Sequence, residues 1–143
     1  VQTDSSVRQD RLAKVLEAFG LTVEERDVGY TIVQLPQARD EQRGGGGTSA
    51  LNGGVIAYMF DCALGLAVAS AVRARSSEQA TELRQVTINL NISYLRAAFG
   101  DRFAAHGKVS QLGRNIAFAT GSFYDEQGNI CATAQGVWRI FAR

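Results

Sequence analysis

The chain predicts an α+β domain, an antiparallel sheet of about five strands wrapped around one long buried helix. Three observations carry this reading. Residues 55–72 form an Ala-rich apolar stretch that holds a single charged residue, Asp61. Val86, Ile88, Leu90, Ile92 and Tyr94 alternate with Thr87, Asn89, Asn91 and Ser93, the period of two that marks a strand. Further strand-like segments then follow across short polar turns, which makes sequence neighbours antiparallel.

Leu12, Val15, Leu16 and Phe19 fall at helical spacing, and Gly20 supplies a stop, so residues 1–20 read as an N-terminal helical segment. Tyr30–Leu35 (YTIVQL) reads as a strand closed by Pro36. Residues 39–49 read as a loop, with consecutive glycines at 44–47 that give it freedom. The long helix should run from about Gly53 to about Ala74, with Arg73 and Arg75 at the end its dipole favours for cations. A polar connector over 76–82 leads into strands at 86–94, 102–112, 116–124 and 130–141, with turns at Gly113-Arg114-Asn115 and 125–129. No repeat or composition shift divides residues 1–143, which read as one domain.

Composition narrows the function. A net charge of +1 provides no field for nucleic acid. Cys62 and Cys131 form no CxxC and the chain has one histidine, so no zinc site or other metal is expected. That cysteine usage, with a polar and charged 1–10 rather than a secretory leader, points to the cytoplasm. Residues 55–72 are nearly long enough to cross a membrane. Asp61 near their centre would cost roughly 2.5–3.5 kcal/mol on insertion scales, and the strands need a helix to cover, so no membrane span is expected.

Asp61 is the only charged residue between Arg43 and Arg73. A carboxylate in a buried helix is expensive unless it is paired, hydrogen-bonded or used. Asn52-Gly53-Gly54 opens the same helix, where free backbone N–H groups can meet a carbonyl oxygen. Together these are the parts for acyl chemistry. The rest of the chain offers little competition. His106 has no partner motif, no GxSxG elbow is present, and the 44–47 glycines lack the Gly-Lys-Ser/Thr of a phosphate loop. Cys62 reads as a small buried hydrophobe.

The order of these motifs resembles the hotdog-fold acyl-CoA thioesterases of the phenylacetate-pathway (PaaI-like) type. That family carries His-Gly-Gly before its long helix and an Asp nine residues after the His; Asn52-Gly53-Gly54 and Asp61 match the pattern. Residues 87–94 (TINLNISY) with Leu95-Arg96-Ala97-Ala98, the hairpin at Gly113-Arg114, and Tyr124-Asp125-Glu126-Gln127-Gly128 with Ala132 match in turn, over roughly residues 12–141. Two positions depart: the family's His is Asn52, and an Asn six residues earlier is Gly46.

The resemblance implies hydrolysis of an acyl-CoA thioester to a carboxylic acid and free coenzyme A, with no cofactor apart from the coenzyme A of the substrate. Asp61 would be general base or nucleophile, with Gly53 and Gly54 N–H groups as oxyanion donors and Asn52 as amide donor or N-cap. Thr87 would orient water; the apolar face of its strand should cover the helix, so Thr87 should point away and serve across an interface. Asn89, Tyr94, Arg96, Gln111, Gly113 and Arg114 would bind coenzyme A, the arginines through phosphate. The acyl group would sit near Tyr58, Met59 and Cys62. The resemblance also implies a homodimer or dimer of dimers with shared sites. Spacing supports this, because Asp61 lies about two turns, ~11 Å, beyond the helix start. An acyl-CoA binder without turnover is the runner-up, favoured by Asn52 in place of His. A dehydratase ranks below it, since His106 is far in sequence from the helix.

Overall fold

The computed structural model describes residues 4–75 and 84–141, and the connector read over 76–82 lies outside them. Helix α1 (Asp4–Ala18) precedes strands β1 (Thr22–Asp27) and β2 (Tyr30–Leu35). Two short 3-10 turns, Asp40–Gln42 and Gly45–Gly47, interrupt the expected loop before helix α2 (Gly53–Arg75). Strands β3 (Arg84–Tyr94), β4 (Phe103–Leu112), β5 (Ile116–Tyr124) and β6 (Ile130–Phe141) follow. They form one six-stranded sheet in the order β1-β2-β4-β5-β6-β3, with every pairing antiparallel. Gly20, in the left-handed region at φ 71°, ends α1 as expected, and Leu21 N–H reaches back to the Leu16 carbonyl at 2.8 Å.

The sixth strand, β1, is the element the sequence conceals. Its residues, TVEERD, are all exposed, so no apolar alternation announces it. Main-chain pairing with β2 holds it. Glu25 anchors it to α2, accepting from Ser70 Oγ at 2.7 Å and pairing with Arg73 at 3.5 Å.

Helix α2 is long and apolar enough to cross a membrane by length and composition, and here it lies along one face of the sheet. Ile56, Met59, Phe60, Ala63, Leu64, Ala67, Val68 and Val72 form its buried stripe at helical spacing. Phe60 meets Phe123 of β5 edge-on at 5.9 Å between ring centroids. The sheet offers small residues where the helix passes closest. A Cβ at Gly107 would stand 2.6 Å from the Ala63 carbonyl carbon and oxygen.

The long helix packs against the sheet as expected, and its burial is one-sided. One sheet covers one stripe, and the opposite side of α2 stays open. Asp61 is exposed on that side, flanked by half-buried Tyr58, Cys62 and Leu66. The carboxylate therefore pays no burial penalty within a single chain.

The direction of β3 is corrected. Thr87 pairs with Trp138 and Asn89 with Val137, which leaves Ile88 as an extra residue. Such a bulge reverses which parity faces the helix. Beyond it, Leu90 and Ile92 pack on the core as expected. Before it, Gln85 and Thr87 face α2, while Val86 and Ile88 are 52% and 56% exposed. Leaving two such aliphatic side chains half outside forgoes part of the roughly 1.5–3 kcal/mol that full burial of each would bring.

Candidate active site

The site begins at the entry to α2. Asn52 caps the helix: its Oδ1 accepts the Gly54 N–H at 2.8 Å, and its carbonyl accepts Val55 N–H at 3.0 Å and Ile56 N–H at 3.2 Å. Its own N–H donates to the Gln42 carbonyl at 2.8 Å. Gln42 is a buried hub that the sequence did not reveal. Its Nε2 donates to the Phe19 carbonyl at 2.9 Å and its Oε1 accepts from Arg39 N–H at 2.8 Å, tying the end of α1 to the turn before α2. A lone glutamine in a glycine-rich loop gives no periodic signal that could have singled it out.

Tyr94 closes the other side of the entry, donating its hydroxyl to the Gly53 carbonyl at 2.6 Å. A Cβ at Gly53 would touch the Tyr94 ring at 3.4 Å. Among the described residues no acceptor meets the Gly53 N–H, whereas the Gly54 N–H is held by the cap. Replacing Asn52 by alanine should therefore cost about 1 kcal/mol of stability, read from urea unfolding.

The carboxylate lies two turns further on. Thr87 Oγ1 donates to Asp61 Oδ1 at 2.8 Å. The expectation that Thr87 points away from the helix is thus overturned, for the bulge turns it inward. Cys62 and Tyr58 complete the open face. Burial first, then the Asp61 charge, pushes the Cys62 thiol up to about 11, although the Tyr58 hydroxyl bond opposes the rise. Burial and the neighbouring Cys62 and Asp61 push Tyr58 up to about 12. Both stay protonated at neutral pH, so neither competes with Asp61 as a base or nucleophile. Met59, expected beside an acyl group, is wholly buried in the core behind this face.

The remaining candidates do not converge in one chain. Tyr94 and Arg96 lie at the end of the sheet near Gly53, where Arg96, Phe99, Asp125 and Asn129 line an open cleft of ≈ 250 Å³. Gly113 and Arg114 lie at the opposite end, where Arg75 donates to their carbonyls at 2.5 and 3.1 Å. The run of α2 between these ends, Gly53–Arg75, spans about 33 Å at the helical rise. Asn89 and Gln111 stand on the far face of the sheet, joined by the row Gln111–Phe118–Val137–Asn89. The sheet itself separates them from Asp61.

His106 belongs to that far face as well. Its Nδ1 meets the Tyr30 hydroxyl at 2.7 Å, and its ring lies edge-on to Tyr124 at 4.9 Å. Burial, then Arg26 and Lys108, hold it below its ordinary 6.5, with Glu24 opposing. Protonation then favours the unfolded chain. The contribution is complete above about 6.5 and is lost as pH falls through the folded value. Urea midpoints of the wild type should drop over that window, and those of His106→Phe should drop less.

Comparison with known proteins gives this architecture a family. The model of the thioesterase superfamily matches residues 49–132, from the Asn52 turn to the start of β6, and the chain belongs to that superfamily, with its hotdog fold. A Halobacterium salinarum protein that carries a provisional name as an esterase is 30% identical over 133 residues, covering 89% of this chain and 84% of its own. The medium/long-chain acyl-CoA thioesterase YigI of Escherichia coli is 34% identical over 98 residues, covering 64% of this chain and 63% of its own. Among solved structures, the E. coli PaaI protein of the phenylacetic acid degradation operon superposes with a TM-score of 0.74 at 19% identity, covering 96% of this chain and 91% of its own. The Bacillus halodurans protein BH2602, solved with CoA, superposes with a TM-score of 0.73 at 22% identity, covering 97% and 91%.

Proposed function

We propose that this protein is an acyl-CoA thioesterase that works as a homodimer or a dimer of dimers, with Asp61 of one protomer facing Gly53 and Gly54 of the partner subunit. The observation that carries the reading is the Asp61 carboxylate, exposed on the open side of α2 and bonded by Thr87 at 2.8 Å. Water attacks the thioester carbonyl while Asp61 takes its proton. The oxyanion gathers at the helix N-terminus, where the Gly53 N–H is unengaged among the described residues. Collapse breaks the C–S bond, and coenzyme A leaves as a thiolate that takes a proton back from Asp61 or water. Attack by Asp61 itself would give an anhydride, which water then cleaves.

Several features support the shared site. β3 is an edge strand with one side unpaired among the described residues, which invites a second copy. Leu95 and Phe99 beyond it are 58% and 51% exposed. Pairing two chains would also gather coenzyme A ligands, Arg96 and Arg114 among them, that one chain keeps apart. The named activity of the E. coli relative supports an acyl-CoA substrate. Two unpaired cysteines accord with a cytoplasmic setting.

One observation favours a second reading, an acyl-CoA binder without turnover. Asn52 Oδ1 occupies the Gly54 N–H, which leaves the Gly53 N–H alone at this turn to hold an oxyanion. Thiol release from aryl and alkyl acyl-CoA substrates, with wild type beside Asp61→Ala, separates the two. Turnover lost in the variant supports the enzyme. Tight acyl-CoA binding without turnover in either protein supports the binder, and a gain of turnover in Asn52→His would mark a weakened enzyme.

A further inference from the structure

In a regular strand the alternation from Val86 to Tyr94 would bring Val86 and Ile88 onto the helix and send Thr87 to the far face. The chain inserts Ile88 as an extra residue, and two aliphatic side chains end up outside. Two polar ones take their places. Gln85 Nε2 donates to the Gly65 carbonyl at 2.6 Å, and Thr87 Oγ1 donates to Asp61 Oδ1 at 2.8 Å.

We propose that the Ile88 bulge and Gln85 form a positioning device for the Asp61 carboxylate. The inference rests on the reading of Asp61 as the reacting group. Its geometry comes from two matched spacings. Asp61 and Gly65 are one turn apart on α2, a rise of about 6 Å. Gln85 and Thr87 are neighbours on one strand face, about 6.7 Å apart. Two adjacent side chains of β3 therefore bond two adjacent points of α2. The Gln85 clamp fixes the register of strand against helix, and the Thr87 hydroxyl then fixes the carboxylate, leaving Oδ2 for the proton.

Gln85 is an unfavourable choice for packing alone. Its Oε1 is buried and has no hydrogen-bond partner among the described residues. A leucine there would bury apolar surface with no orphaned acceptor. Bulges that re-aim a side chain are concentrated beside active sites, and the one in β3 opens the path from Thr87 to Asp61.

The test combines thiol-release kinetics with an NMR contact between the Thr87 methyl and the Asp61 β protons in the wild type. Thr87→Val should lower kcat about tenfold or more with KM unchanged, because a hydrogen bond to a charged group is lost. Thr87→Ser should stay within about twofold of wild type, since the hydroxyl remains. The exchange Thr87→Val/Ile88→Thr should be as slow as Thr87→Val, because the bulge turns position 88 outward. Gln85→Leu should lower kcat but add nothing in a Thr87→Val background, a coupling that a purely structural role would not produce. If Gln85→Leu does not fold, Gln85→Met takes its place. Recovery of turnover in the exchange variant, or additive losses in the double variant, would overturn the proposal. Equal turnover in wild type and Asp61→Ala, or no turnover from either, would overturn the reading of Asp61, while the NMR contact still decides whether the bulge aims Thr87 at it; its absence overturns the device.

Discussion

Asp61→Asn should lower kcat for acyl-CoA hydrolysis about 100- to 10,000-fold, the range that a positioned general base supplies. The amide keeps an oxygen for the Thr87 hydroxyl, so the local geometry survives the change. Folding of the dissociated chain should move by no more than about 0.5 kcal/mol, because the side chain is exposed there. The loss is large because, among the described residues, nothing near Asp61 replaces the carboxylate. Cys62 is held protonated by burial up to about 11, and Tyr58 up to about 12. His106, held below its ordinary value by burial, Arg26 and Lys108, lies on the far face of the sheet, bonded to Tyr30. Single-turnover hydrolysis in H2(18)O resolves the role of Asp61. General-base attack puts the label in the product acid, whereas an anhydride opened at the Asp61 carbonyl leaves it on the protein. A kcat within threefold of wild type in Asp61→Asn would remove Asp61 from the chemistry.

The sequence made α2 and the last four strands legible because their apolar residues recur with a clear period. Asn52-Gly53-Gly54 and Asp61 were legible as a pair, since a single charge in a long apolar stretch stands out. Three things were not. β1 has no apolar face, and its place depends on main-chain pairing that composition does not record. The bulge at Ile88 hides behind an unbroken alternation, so the sequence implies one regular strand where the chain makes two half-strands of opposite facing. The alternation therefore points Thr87 to the wrong side, and it gives Gln85 no signal. Gln42, the hub beneath Asn52, reads as an ordinary loop residue until the fold buries it. Periodicity reports which face a residue occupies only while the strand stays regular, and here it fails beside the candidate carboxylate, as local irregularity at functional sites leads one to expect.

The same helix that carries Asp61 is set against the sheet by glycine, so the largest stability loss should come from Gly107→Ala, about 3 kcal/mol. The added Cβ would stand 2.6 Å from the Ala63 carbonyl carbon and oxygen and 2.8 Å from the Leu64 nitrogen. These are backbone atoms in the middle of a helix, and no rotamer change can move them aside. The strand cannot yield alone, because β4 is paired on both sides, to β2 and to β5. Helix and sheet must therefore separate, and the packing of Phe60 on Phe123 loosens with them. Thermal unfolding should register a fall of about 6–12 °C at roughly 2–4 °C per kcal/mol. The displacement also acts on the site. Ala63 follows Asp61 by two residues, so a lifted helix draws the carboxylate away from Thr87. Gly107→Ala should then lower kcat below the melting range, although Gly107 touches no reacting atom. A variant that keeps both its melting temperature and its kcat would show that the helix rides on the sheet with room to spare, contrary to the contact distances at Gly107.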